Sequence, residues 1–207
     1  MNILLLGPTP EKLLPCIESR ENVVFVYNEA IDAQFVLEKH IGVLISFNYR
    51  FIIRSDVLSS PKVHAVNLHT SLLPFNRGAH PVLWSILEGT PLGVTIHQID
   101  EGLDTGPIIF QKPLGMLDVK MSLRQAYDYV NQELVDFFCT NWPSIITKKF
   151  NVRSQQGIGT FHKSAQARDF LNFLENSWDT TIEDAKRCYA EYSKTKRNRP
   201  GMDSKSK

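Results

Sequence analysis

The sequence predicts an α/β protein with a Rossmann-like, mostly parallel sheet, flanking helices and a small C-terminal extension of a short strand and helices. Two observations favour this class. Short apolar runs, typical of buried strands, alternate with helical stretches over residues 2–47, in a strand–helix–strand–helix–strand order. Glycine or proline stands at several of the junctions, where turns are expected. Parallel strands joined by right-handed helical crossovers would produce this order.

The elements follow one another along the chain. The predicted strands cover residues 2–6, 22–27, 43–47, 63–68, 93–100 and 107–111, and a short strand is expected within 155–163. The predicted helices cover residues 10–20, 29–40, 82–88, 121–147, 165–174 and 181–193, with a single helical turn at 56–58. We therefore expect a main domain at 1–150, a small extension at 151–193 and a poorly ordered basic tail at 194–207.

Composition narrows the class of function. The 207 residues are 43% hydrophobic and 22% charged, as in ordinary soluble globular proteins. A formal net charge of +1 gives no reason to expect a nucleic-acid or membrane partner. No apolar run is long enough to span a bilayer, and the first residues lack the features of a signal peptide. Cys16, Cys139 and Cys188 are widely spaced, which predicts neither a disulfide scaffold nor a zinc site and favours the cytoplasm.

The turn after the first predicted strand, Gly7-Pro8-Thr9-Pro10-Glu11-Lys12, differs from a dinucleotide-binding turn. It has no GxGxxG or GxxxxGK[ST] pattern. Its two prolines also lack the backbone N–H groups that would bind a pyrophosphate. Binding of NAD or ATP at this turn is therefore disfavoured.

Polar side chains are expected at the carboxyl ends of the later strands. Asn67 and His69 are two residues apart on an extended strand, so they point to the same side. Asp104 stands in the glycine-rich loop between the next two strands, and the loop 46–50 follows the third strand. Because ligands of open α/β sheets bind beyond the carboxyl ends of strands, we expect a pocket here.

The residue types at this edge favour direct acyl transfer. No serine nucleophile elbow and no cysteine beside His69 support an acyl-enzyme, and one His with one Asp is too few ligands for zinc, so no metal is predicted. The Asn67 amide could donate to a developing oxyanion. His69 could accept a proton from an attacking amine or, when protonated, stabilise the oxyanion, and Asp104 could orient His69 or relay a proton through water.

Three motifs of this sequence resemble those of a known protein family. The motifs Asn67-x-His69-x-Ser71-Leu72-Leu73-Pro74, Gly93-Val94-Thr95-Ile96-His97 and Asp104-Thr105-Gly106-Pro107-Ile108-Ile109 resemble the folate-dependent formyltransferases. That family transfers a formyl group from N10-formyltetrahydrofolate to an amine with an Asn–His–Asp set. The resemblance implies that residues 1–150 form the catalytic domain. It implies a folate pocket lined by Ser46, Phe47, Asn48, Tyr49, Gly102 and Leu103.

A particular branch of the family is favoured by two further stretches. Residues 76–84 and 159–163 are similar to the sugar N-formyltransferases, which act on dTDP-linked amino-dideoxy sugars for O-antigens and other surface glycans. This likeness implies a homodimer. It also implies substrate contacts from Arg77, His80, Trp84, Phe161, His162 and Lys163. His97 is expected to have a structural role.

Other acceptors and roles remain open at this point. Phosphoribosylglycinamide formyltransferase is the alternative, although its usual Gly/Ser/Asn-rich first turn is missing here. The methionyl-tRNA enzymes have a second, tRNA-contacting domain, for which this chain leaves little room. Two further hypotheses are a non-catalytic protein that binds folate or a nucleotide, and an enzyme that hydrolyses the formyl donor with water as the acceptor. The sequence does not separate a 3-amino from a 4-amino sugar.

Overall fold

The structure, a computed structural model, describes residues 1–59 and 63–197. Its strands are β1 (Asn2–Leu6), β2 (Val23–Tyr27), β3 (Val43–Phe47), β4 (His64–His69), β5 (Arg77–Gly78), β6 (Gly93–Gln98), β7 (Ile108–Pro113) and β8 (Phe161–His162). Its helices are α1 (Leu14–Ile17), α2 (Ala33–Glu38), α3 (Ser55–Leu58), α4 (Pro81–Glu88), α5 (Leu123–Ile146), α6 (Ser164–Phe173) and α7 (Ile182–Arg197). Short 3-10 helices cover Pro10–Lys12 and Ser177–Asp179.

A mixed six-stranded sheet in the order β2-β1-β3-β4-β6-β7 forms the centre of the fold. The pairings of β1 with β2, of β1 with β3 and of β3 with β4 are parallel. Strand β6 runs antiparallel to both β4 and β7. The predicted fold class, a mostly parallel α/β sheet with flanking helices, is confirmed.

Alternate residues of the central strands supply two apolar layers, one on each face of the sheet. Ile3 and Leu5 of β1 pack with residues of α4 and α5, whereas Leu4 and Leu6 pack with residues of α2 and α3. Every residue of β3 is buried. Strands covered on both faces are expected to be continuous apolar runs, which is how they were recognised.

Two predicted helices are shorter than expected. The stretch predicted as one helix at 10–20 is a 3-10 turn followed by α1, because Pro15 inside it cannot supply a backbone N–H. Helix α2 begins only after Asp32, whose carboxylate accepts a hydrogen bond from Phe35 N (2.8 Å) and caps the helix. Among the described residues, no helix combines the length and apolarity needed to cross a membrane.

Cys16 and Cys139 form a disulfide, with Cα atoms 5.4 Å apart. This corrects the expectation that the cysteines would not pair. Helix α1 packs against α5, which brings together residues 123 positions apart in the sequence. Spacing along the chain could not show that contact.

The segment that follows α5 returns to the main sheet. Arg153 pairs with Ile108 of β7, and β8 pairs in parallel with β5 to form a second, two-stranded sheet. Helix α7 continues through Arg197 and so includes the first four residues of the predicted tail, because lysine and arginine are good helix formers. Residues 198–207 of that tail lie outside the described residues.

Candidate active site

The predicted polar cluster lies at the carboxyl end of β4. Asn67 stands opposite Ser46 of β3 on one side and opposite His97 of β6 on the other. The loop after β6 brings Asp104 to the same place, with a left-handed backbone (φ 56°) that aspartate tolerates better than most residues. The structure therefore brings Asn67, His69 and Asp104 together, as the sequence predicted.

The Asp104 carboxylate is held from two sides and is nearly buried, with its side chain 10% exposed. Its Oδ1 accepts a hydrogen bond from Asn67 Nδ2 (3.1 Å), and its Oδ2 accepts one from the backbone N–H of Gly78 (2.8 Å). Burial alone would raise the pKa of Asp104. The nearby His69 and His97 rings and the Gly78 amide nevertheless lower that pKa well below its ordinary value. Asp104 is therefore a fixed anion at neutral pH.

The hydrogen-bond partner of His69 fixes its tautomer. Nε2 lies 3.0 Å from the carbonyl oxygen of Asn76, which can only accept, so Nε2 carries the hydrogen. Nδ1 then presents a lone pair and lies 3.7 Å from Asp104 Oδ2. Burial lowers the pKa of His69 and Asp104 only partly offsets this, so the ring is neutral at neutral pH. A neutral imidazole in this orientation is suited to accept a proton at Nδ1.

His97 belongs to the same cluster, which the sequence did not predict. Its Nδ1 donates to the carbonyl of Gln98 (2.7 Å), and its Nε2 accepts from Asn67 Nδ2 (3.1 Å). Both hydrogens of the Asn67 amide are thus engaged, one by His97 and one by Asp104. To stabilise an oxyanion, the amide would have to exchange one of these partners. Within residues 1–59 and 63–197, no group of three or more His, Cys, Asp or Glu side chains could hold a metal ion.

The residues predicted to line a folate pocket lie in β3, in the loop after it and in the loop that holds Asp104. Ser46 and Phe47 are buried in β3, and the Phe47 side chain belongs to the core. Asn48 has a left-handed backbone and donates to Asn131 of α5 (3.0 Å). The Tyr49 hydroxyl donates to the carbonyl of Glu29.

Two loops beyond the sheet edge expose apolar side chains. Leu103, in the turn that also holds Gly102, is 52% exposed, and Ile52 in the loop after β3 is 79% exposed. The Gly102 N–H donates to Asp100 (3.1 Å), which closes that turn. Each of these side chains offers an apolar surface to a ligand.

Three of the predicted substrate-binding side chains have partners within the protein. Trp84 and His162 are 4% and 7% exposed, and their rings stack with centroids 4.1 Å apart and planes 10° from parallel. Arg77 donates from Nε (3.1 Å) and Nη2 (2.6 Å) to Gln155 Oε1. The Trp84 ring also lies 6.2 Å from the Tyr189 ring of α7, and the substrate contacts expected of Trp84 and His162 stay predictions. Phe161 and Lys163 are exposed.

His80 lies in an open groove of about 320 Å³ that is bordered by two aromatic rings. The Trp178 ring lies 5.7 Å from that of His80 and 5.8 Å from that of Tyr127. Burial lowers the pKa of His80, so its ring is neutral. Arg124 and Asp128 complete the lining, and the Arg124 guanidinium is bonded to Asp179 (2.9 Å). The sequence did not indicate Tyr127 or Trp178, because isolated aromatic residues on helices are usually core.

The fold and the site together define a Rossmann-like α/β protein whose sheet edge carries an amide–imidazole–carboxylate set suited to acyl transfer. Comparison with known proteins makes the assignment more specific. Residues 25–140 match the model of the family "Formyl transferase". The chain belongs to the formyl transferase family, and the family predicted from the sequence is confirmed.

Solved structures and curated sequences extend the comparison. The formyltransferase PseJ from Anoxybacillus kamchatkensis is 37% identical with a TM-score of 0.82, over 89% of this chain and 97% of that one. It was solved in complex with UDP-4,6-dideoxy-4-formamido-L-AltNAc and tetrahydrofolate. The N-formyltransferase from Helicobacter canadensis, in complex with folinic acid and dTDP-3-aminofucose, is 20% identical with a TM-score of 0.65, over 92% and 81% of the two chains. That likeness shows the fold alone.

The curated relatives are longer proteins. Methionyl-tRNA formyltransferase of Synechococcus sp. (strain WH7803) is 30% identical over 181 residues, which are 82% of this chain and 49% of that protein. The chain spans about half or less of the length of the curated relatives it matches.

Proposed function

We propose that this protein transfers a formyl group from N10-formyltetrahydrofolate to the amino group of a nucleoside-diphosphate-linked amino-dideoxy sugar. The observation that carries the proposal is the ordered Asn67–His69–Asp104 set, with a neutral His69 whose Nδ1 lone pair faces a fixed carboxylate. The whole-length likeness to PseJ, at 37% identity, supports a sugar as the acceptor.

The chemistry follows from the protonation states of the two buried groups. As the acceptor amine attacks the formyl carbon, a C–N bond forms and the amine nitrogen becomes acidic. His69 Nδ1 accepts that proton, and the Asp104 anion stabilises the resulting imidazolium. The proton then passes to the departing N10 nitrogen as its bond to the formyl carbon breaks. An amide donor from Asn67 to the oxyanion would contribute about 3–4 kcal/mol of barrier lowering.

The folate would occupy the space beside the loops that follow β3 and β6. Ser46 is the register partner of Asn67, so a ligand over this loop would bring a formyl group towards the cluster. The exposed side chains of Ile52 and Leu103 fit the apolar faces of a pterin ring. Asn48 and Gly102 would contribute main-chain contacts.

The nucleotide sugar would lie in the groove at His80. This residue follows Gly78, whose amide binds Asp104, by two positions, so the two Cα atoms are within about 7 Å of each other. Trp178 and Tyr127 offer faces for stacking a pyrimidine base. Of the other predicted contacts, Phe161 and Lys163 remain accessible to this ligand.

The nucleotide is proposed to be UDP rather than the dTDP expected from the sequence. PseJ, with 37% identity, was solved with a UDP-linked 4-formamido sugar, whereas the relative solved with a dTDP-linked sugar is 20% identical. A 4-amino group is accordingly the proposed acceptor. The use of the product in O-antigen or other surface glycans, the homodimer and the cytoplasmic location stay predictions.

An acceptor panel tests the function. Purified protein with N10-formyltetrahydrofolate is given a UDP-linked 4-amino-4,6-dideoxy sugar, its dTDP counterpart, glycinamide ribonucleotide or methionyl-tRNA, and the formylated product is detected by mass spectrometry. We expect the highest kcat/KM with the UDP sugar. Turnover with glycinamide ribonucleotide or methionyl-tRNA and with neither sugar would contradict the proposal. Donor consumption without any acceptor would indicate a hydrolase.

The groove has its own test, because it contains a half-buried tryptophan. Trp84 and Trp142 are buried, so quenching of tryptophan fluorescence by added UDP should come mainly from Trp178. Trp178→Phe should abolish the quenching and, because a phenyl ring still stacks, leave kcat within about threefold. Trp142→Phe is the matched control and should quench as the wild type does. Unchanged quenching in Trp178→Phe would place the nucleotide elsewhere.

Methionyl-tRNA is the second candidate acceptor, because the curated relatives that match this chain are methionyl-tRNA formyltransferases. Those matches cover about half or less of each relative. A net charge of +1 also provides little of the electrostatic attraction that tRNA binding uses. The acceptor panel separates the two candidates directly.

A further inference from the structure

The chain segment between Arg153 and His162 lies against the loop that carries Asp104. At one end, Arg153 and Ile108 exchange two backbone hydrogen bonds (2.8 and 3.0 Å). At the other end, Arg77 N donates to the Thr160 carbonyl (2.9 Å) beside the β5–β8 pair. Gln155 lies between these two attachments and is half-buried.

The Gln155 side chain holds the turn at Asp104 through its backbone. Its Nε2 donates to the carbonyl oxygens of Asp104 (2.8 Å) and Gly106 (2.9 Å), so both amide hydrogens have acceptors in one turn. That turn needs support, because Asp104 has a left-handed backbone. The backbone at Gly106 also approaches the Gln98 carbonyl so closely that a Cβ would collide with it.

The other end of the same amide is fixed by Arg77. Gln155 Oε1 accepts from Nε (3.1 Å) and Nη2 (2.6 Å), which sets the direction of the amide and leaves Nε2 facing the turn. The residue after Arg77 is Gly78, whose N–H binds the Asp104 carboxylate. Arg77, Gln155 and the Asp104 turn thus close a ring of hydrogen bonds around the catalytic carboxylate.

We propose that Gln155 is a positioning residue for Asp104, and that Arg77 acts through Gln155 rather than by contacting the acceptor. The role of Asp104 in turnover rests on the proposed function. The position of the carboxylate beside His69 does not, and it can be measured without any substrate. Glutamine suits this place because it combines an acceptor for the guanidinium with two donors for the carbonyls. A glutamate would have no donor and would set a charge against both carbonyl oxygens.

The kinetic test compares Gln155→Leu, which keeps the approximate shape without hydrogen bonds, with Gln156→Leu as the matched control. Gln156 is the exposed neighbour. We expect Gln155→Leu to lower kcat about 10- to 100-fold, because a small displacement of a catalytic group costs that much. KM for both substrates should stay within about threefold, and Gln156→Leu should match the wild type. Loss of thermal stability with unchanged kcat would overturn the proposal.

A double variant separates the two possible roles of Arg77. If Arg77 acts through Gln155, Arg77→Met combined with Gln155→Leu should be no slower than Gln155→Leu alone. If Arg77 instead contacts the acceptor, the two losses should multiply and KM for the sugar should rise. The second result would overturn the assignment of Arg77.

The substrate-free test is the titration of His69 by NMR. The charged groups facing its ring are Asp104 and Arg77, together with His97 when that ring is protonated. Because Asp104 raises the pKa of His69, moving the carboxylate away should lower the midpoint measurably in Gln155→Leu. An unchanged midpoint would overturn the proposal. A lowered midpoint in a protein that formylates no acceptor would retain the positioning role while the proposed function fails.

Discussion

Among the described residues, buried histidines lie beside a carboxylate at two places, Asp104 and Glu88, and only one of these places has the features of a reactive site. His69 lies 3.7 Å from Asp104 at the end of β4, and His162 lies 3.2 Å from Glu88 in the cluster that joins α4 to the C-terminal helices. The two histidines are similarly buried, at 5% and 7% exposure. Distance and burial therefore do not distinguish them.

The surroundings of each pair do distinguish them. Asp104 is held by Asn67 and Gly78, and the opposite nitrogen of His69 is fixed by a carbonyl, so the reactive nitrogen and the charge keep one geometry. His162 stacks on Trp84, and its carboxylate partner Glu88 is 26% exposed. A carboxylate that is buried from water and held by several hydrogen-bond donors can stabilise the protonated form of the neighbouring histidine during proton transfer. A stacked ring beside a partly solvated carboxylate stabilises packing.

The largest expected difference between the pairs is in turnover. His69→Ala should reduce kcat about a hundredfold or more, because the proton acceptor is lost. His162→Ala should keep kcat within about threefold in the folded protein, because the ring does not face the cluster. Steady-state kinetics and circular dichroism of both variants check this. Equal losses of kcat would show that the second pair takes part in the reaction.

A smaller difference is expected in stability, and it concerns the ring on which His162 stacks. Trp84→Ala should lower the free energy of unfolding by about 3–5 kcal/mol, the usual cost of removing a buried aromatic side chain. Trp84→Phe is the control and should cost clearly less, since the indole N–H has no hydrogen-bond partner among the described residues. Denaturant unfolding measures both. If Trp84→Ala kept its stability but raised KM for the sugar, the ring would contact substrate after all.

Local sequence pattern could indicate some residues of the site around His69 but not others. Asn67 and His69 were predictable because two positions on a strand share a face, and Asp104 because it stands in the glycine-rich loop between the next two strands. His97 was missed because its place opposite Asn67 depends on β6 lying antiparallel beside β4, and strand order is not written in local periodicity. Gln155 was missed because its donors meet backbone carbonyls, which leave no residue-type signal.

The predicted substrate contacts of Trp84 and His162 show a second limit of local motifs. Both residue types are common in sugar-binding sites and in aromatic packing, so their identities alone could not decide between the two. The burial of both rings depends on α7 packing against α4, a long-range contact that a local motif does not contain.

The smallest expected difference is in how the two rings titrate. Burial lowers the pKa of both His69 and His162, so both midpoints should lie below the ordinary value of about 6.5. Turnover requires neutral His69, so the rate should fall by up to a further tenfold per pH unit below the His69 midpoint, in addition to any titration of the acceptor amine. Glu88→Gln removes an anion that raises the pKa of His162, so the His162 midpoint should fall further. That fall should be small, because a partly exposed ion pair contributes little. The His69 midpoint and the acid limb of the rate should not move in that variant.

NMR of the histidine ring protons, assigned with His69→Ala and His162→Ala, measures both midpoints. A shift of the acid limb of the rate in Glu88→Gln would show that the two pairs are coupled.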